Sequence, residues 1–132
     1  MMKNVFYLIA GLLFILLAVT HTWFGIETAL PILHSSNIDN STITIFTFQL
    51  HMIGIQDLLY GIAAITMAFQ KDMAKVKFAA WLLTTILLAR WVVMTLITVI
   101  YDRNNVTDLL TSSIAFLVLI VLLLLGARVR DK

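Results

Sequence analysis

The stretch IAFLVLIVLLLLG at residues 114–126 contains no polar side chain. A helix built from it is apolar on every face, whereas a helix at the surface of a soluble protein keeps a polar face toward water. Lipid is the solvent that accepts such a helix. The rest of the chain agrees: 61% of the residues are hydrophobic and 12% charged, against about 45–50% and about 25% in soluble domains.

Apolar stretches at residues 5–26, 44–69, 78–101 and 107–127 each approach the ~20 residues needed to cross about 30 Å of hydrocarbon. The expected fold is therefore all-α, a single transmembrane domain over residues 1–132. It is read as an integral membrane four-helix bundle with antiparallel, up-down-up-down topology. The connectors are a loop near residues 31–42, a tight basic turn at 70–77 and a turn at 102–105. In this layout Lys3, Lys71, Lys75, Lys77, Arg128, Arg130 and Lys132 fall on one side, and only Arg103 lies in the opposite loops. Cytoplasmic loops carry the excess of Lys and Arg, which places both termini in the cytoplasm. Trp23 and Tyr101 then sit near the outer interface, and Tyr7 and Trp81 near the inner one.

The first stretch also has the parts of a signal peptide: Lys3, the apolar run 5–19, and small residues at Ala18 and Thr20. It is read here as a retained span. Two glycosylation triplets, at Asn40 and Asn105, fall in outer loops.

The chain has no cysteine, which excludes disulfides, thiolate metal sites and Cys nucleophiles. A net charge of +2 located at helix ends forms no nucleic-acid patch. Phosphate loops, the metalloprotease His-Glu-x-x-His and nucleophile elbows are likewise missing, so a non-enzymatic role is expected.

Ionisable groups at membrane depth are costly and mark candidate sites. Four fall there: His21, His51, Asp57 and Arg90. Counted from the cytoplasmic helix ends, Asp57 and Arg90 are roughly 18 to 20 Å deep, and a bidentate carboxylate–guanidinium pair would be the least costly way to hold both. Such a pair reads either as a functional group or as a structural clasp that fixes helix packing. His21 and His51 share a level toward the outer leaflet, His21 on a helical face with Gly11, Ala18 and Gly25, and His51 with Gly54, Asp57 and Gly61. Small residues on these faces allow close helix approach. Two facing imidazoles can hold a metal or haem b, relay protons or bind a polar ligand; lone membrane histidines more often bond a neighbouring carbonyl or hydroxyl.

Gln49, Gln56 and Tyr60 form a second polar stripe on the same helix. It is expected to meet the fourth helix or another protomer. Thr84, Trp91, Thr95 and Thr98 on the third helix, and Asp108, Thr111 and Ser112 on the fourth, read as packing seams. With Glu27 they can also line an outward vestibule.

Gly11 followed by His21 and Gly25, then Leu30-Pro31, then Gln49 and His51 opening the second helix, make a layout that resembles small bacterial four-helix membrane proteins of DoxX-like and uncharacterised kinds. The resemblance implies a bacterial inner-membrane protein and names no activity. Small multidrug transporters share the helix number but use an acidic residue midway along the first helix, which here is uncharged until Glu27. Disulfide-forming four-helix enzymes need cysteines.

The expected function is an intramembrane polar site made by His21, His51, Asp57 and Arg90, with Gln49 and Gln56, binding or passing a small molecule, lipid headgroup or ion. Its partners are the lipid bilayer and a homo-oligomer or larger complex. The alternatives are a haem- or quinone-associated electron-transfer protein using His21 and His51, and a structural accessory subunit.

Overall fold

The computed structural model describes residues 4–101 and 106–129, which are helical apart from short connectors and contain no strand. Lys3, Arg103, Arg130, Lys132, the turn at 102–105 and Asn105 of the second triplet lie outside the described residues, as does the side chain of Asp108. The helices are α1 (Val5–Phe24), α2 (Leu30–Ser35), α3 (Asn40–Phe69), α4 (Met73–Tyr101) and α5 (Val106–Arg128).

Each apolar stretch lies within a longer run of helix, 5–35, 40–69, 73–101 and 106–128, for identifiable local reasons. Asn4 caps α1, accepting the Phe6 N–H on Oδ1 at 3.1 Å. At the other end, a π-helical turn (Gly25–Ala29) joins α1 to α2, with the Leu30 N–H bonded to the Gly25 carbonyl. Pro31 follows in the first turn of α2, where its missing N–H costs least. The Ser36 N–H and hydroxyl then close the helix on the Ile32 carbonyl, at 3.1 and 2.7 Å. Most of the expected loop at 31–42 is thus helical, and only residues 36–39 are irregular.

Aspartates start the next two helices. Asp39 Oδ1 accepts the Thr42 N–H at 2.9 Å, and Oδ2 accepts the Thr42 hydroxyl at 2.7 Å. These bonds and that of the Ser41 hydroxyl hold the Asp39 carboxyl well below the usual carboxylate range. Asp72 repeats the device, with Oδ1 accepting the Lys75 N–H at 3.3 Å and Oδ2 3.0 Å from the Lys75 ammonium. Its pKa is lowered, chiefly by the Lys75 side chain. Hence α3 begins at Asn40 rather than 44, and α4 at Met73 rather than 78.

The chain divides into two compact units, Gly11–Ala63 and the remainder. Within Gly11–Ala63, glycines bring α1 and α3 together. A Cβ on Gly25 would strike the Leu50 side chain, one on Gly54 the Thr22 hydroxyl, and one on Gly61 the Gly11 carbonyl at 2.9 Å. The partners of successive α1 residues therefore lie successively later in α3 when read from Gly25 back to Gly11. The Phe14 and Tyr60 rings meet edge-on, centroids 5.7 Å apart.

In the other unit, buried Asn4 is a clamp as well as a cap. Its N–H bonds the Ala68 carbonyl at 3.2 Å and its Nδ2 the Gly126 carbonyl at 2.8 Å. The Tyr7 ring fills the space where Gly126 has no side chain. Helices α4 and α5 pack against each other, and α4 buries a row of Val76, Ala80, Leu83, Thr84 and Leu87. The Trp91 Nε1–H donates to Ser113 Oγ at 2.8 Å, and that hydroxyl donates to the Leu109 carbonyl at 2.7 Å.

The outward surfaces are apolar. Phe78, Trp81, Ile97 and Ile114 are exposed, whereas Asn4, Asp57 and Thr84 are buried. Four helices, Val5–Ser35, Asn40–Phe69, Met73–Tyr101 and Leu109–Arg128, are long and apolar enough to cross a membrane. The 30 residues of α3 span about 45 Å at about 1.5 Å each, the thickness of a bilayer with its headgroups.

Candidate functional site

The seam between α1 and α3 positions the most promising site. Ala18 and Thr22 of α1 and Gly25 of the π turn face it, and Gly54 of α3 admits the Thr22 hydroxyl where any larger residue would exclude it. Beside this seam lies an open groove of about 370 Å³. Val19, Trp23 and Ile26 form one wall; Ile55 and Leu58 form the other together with His51. His51, Ile55 and Leu58 are spaced i, i+4 and i+7, a single stripe of α3. The polar side-chain groups of the lining are the His51 imidazole, the Thr22 hydroxyl and the Trp23 indole N–H; the rest is hydrocarbon.

His21 is exposed and is not part of this lining. The helical repeat explains the separation. Val19, Trp23 and Ile26 each follow a seam residue by one position, about 100° around the helix, whereas His21 precedes Thr22. The groove therefore joins His51 to Thr22, and His21 lies on the other flank of the seam.

Asp57 is buried, 5% exposed, three residues beyond Gly54. Gln56 donates its amide N–H to the Tyr60 hydroxyl. With Gln49 these two line a second hollow of about 470 Å³ along α3, so the stripe expected from spacing is one surface. Tyr60 has two roles, its ring against Phe14 and its hydroxyl on Gln56. Arg90 belongs to the other unit, half-buried, its guanidinium carbon 5.5 Å from the Phe116 ring centroid, a cation–π geometry. No group of three potential metal ligands is assembled among the described residues.

Thr111 bonds its own helix at the Thr107 carbonyl, 3.2 Å away, as expected of threonine in an apolar helix. A hydroxyl of α5 that bonds α4 is that of Ser113, next to the Ser112 expected in the seam. Thr22, Asn4 and the two aspartate caps were also overlooked. The caps had a signal, an Asp three residues before Thr42 and before Lys75, whereas Thr22 had none, because its role depends on Gly54 opposite. Comparison with known proteins finds no matching family model, no similar curated protein and no similar solved structure.

Proposed function

We propose that this chain is an integral membrane protein of antiparallel topology, with both termini cytoplasmic, that binds a small amphipathic molecule entering from the lipid at His51. The groove beside the α1–α3 seam carries this reading: its walls are largely apolar and its polar side-chain groups are one imidazole, one hydroxyl and one indole N–H. His51 is 18 residues from Phe69, hence about 27 Å from the cytoplasmic end of α3. A ligand with an apolar body and a single polar head, such as a lipid headgroup or a quinone carbonyl, matches this distribution, because the imidazole can donate or accept. A bare ion finds too few polar partners there. Ligation of haem b by His21 and His51 would need both imidazoles in one space, and the groove offers one.

Trp23 supplies the test, since it lines the groove. A short-chain quinone titrated into the micellar protein should quench tryptophan fluorescence saturably, and Trp23→Phe should remove that component. His51→Ala should weaken the apparent affinity about 5- to 10-fold, the worth of one net hydrogen bond of about 1 to 1.5 kcal/mol. Quenching that rises linearly and ignores both substitutions would rule the site out.

A further inference from the structure

A third hollow, of about 140 Å³, lies where the end of α3 meets the start of α4. Thr66, Met67 and Gln70 line it from α3 and the connector, and Lys75, Val76 and Ala79 from α4. Met67 and Val76 are buried and make its apolar floor, whereas the Lys75 ammonium stands at the rim with its side chain 81% exposed. Lys71 and Lys77 flank it and are both exposed. Four charged residues therefore occupy positions 71–77, Lys71, Lys75 and Lys77 against Asp72, for a net +2. The Asp72 carboxylate is engaged by the Lys75 N–H and ammonium, but an ammonium has three donors and one carboxylate leaves capacity for another acceptor.

We infer that this hollow holds the phosphate headgroup of an anionic phospholipid of the cytoplasmic leaflet. The inference rests on the membrane-spanning reading proposed above, and not on the His51 groove. Charge complementarity selects the occupant: clustered lysines at the cytoplasmic end of a span attract anionic lipid surfaces. Thr66 and Gln70 share the lining with Lys75, and the apolar floor suits the start of an acyl chain. A soluble anion would have no use for that floor.

Native mass spectrometry of the protein from nanodiscs containing phosphatidylglycerol and phosphatidylcholine tests the inference. Wild type should retain phosphatidylglycerol preferentially, and Lys75→Gln should lower that preference about 5-fold, the equivalent of about 1 kcal/mol for one lysine at the surface. Lys77→Gln, outside the lining, should have a smaller effect. Asp72→Asn keeps a capping side chain and removes the competing carboxylate, so it should raise the preference. Equal losses for Lys75→Gln and Lys77→Gln would overturn the site in favour of diffuse attraction, and free phosphate displacing the lipid would overturn the lipid assignment. Extraction of the wild-type protein from membranes by alkaline carbonate would instead mark failure of the membrane-spanning reading.

Discussion

Single residues set the ends of the helices, and two of them are aspartates in water. Asp39 has its carboxyl lowered below the ordinary range by hydrogen bonds from Ser41 and Thr42. A group with a depressed folded pKa stabilises the folded state above its unfolded value, near 4, and that contribution is lost as the pH falls toward the folded value. Amide protection at Thr42 should therefore be constant from neutral pH down to about 5 and fall below about 4. Asp39→Asn should keep the cap and abolish the pH dependence; a Thr42 amide that loses protection equally in both proteins would show that the carboxylate is not the cause. The effect is small because the group is fully exposed to solvent and salt. Asn4 is a different kind of cap, since the same side chain that starts α1 also holds the Gly126 carbonyl from buried surroundings.

At the scale of elements, glycine decides how closely helices pack, and the three glycines of the α1–α3 seam are unequal. The missing Cβ of Gly61 faces backbone, the Gly11 carbonyl at 2.9 Å and the Ile15 nitrogen at 3.2 Å. The three atoms nearest that of Gly25 all belong to the Leu50 side chain, the two methyls foremost. Gly61→Ala should therefore destabilise the protein by about 1 to 3 kcal/mol, as overpacking does. Gly25→Ala should be near neutral, because Leu50 can turn aside and alanine gains up to about 1 kcal/mol of helix propensity. Denaturant titration of both variants in micelles checks the order, and equal costs would show that the seam yields as a whole. The same logic explains why Thr22 rather than His21 meets Gly54: only the residue on the seam can use the space that glycine leaves.

For the whole molecule, the controlling property is its outward apolar surface. Phe78 and Trp81 of α4 are 70% and 60% exposed, which suits contact with lipid rather than water. The orientation proposed from the lysines and arginines makes a direct prediction. Reporter fusions after Asn37 and after Lys75 should report opposite compartments, the latter cytoplasmic. The same compartment for both would remove the four-span topology. Both positions adjoin helix ends located by the structure, Ser35 and Met73, so a fusion at either leaves the preceding span whole.

The sequence by itself determined the class of this protein: all-helical, with four long apolar segments and a handful of polar residues within them. Hydropathy can do this because transfer into lipid is a property of each residue and sums along the chain. The ends of the helices were legible only in part. Hydropathy marks where apolar side chains stop, but the helices continue until a capping side chain such as Asp39, or a closing bond such as that of Ser36, satisfies the backbone. Partner choice was the least legible. His21 and His51 share a level by count, yet one residue of rotation along α1 puts Thr22, and not His21, at the groove. Only the tertiary structure decided that, because which side chain reaches the opposite helix depends on the gap left by Gly54, and such a gap belongs to two helices at once.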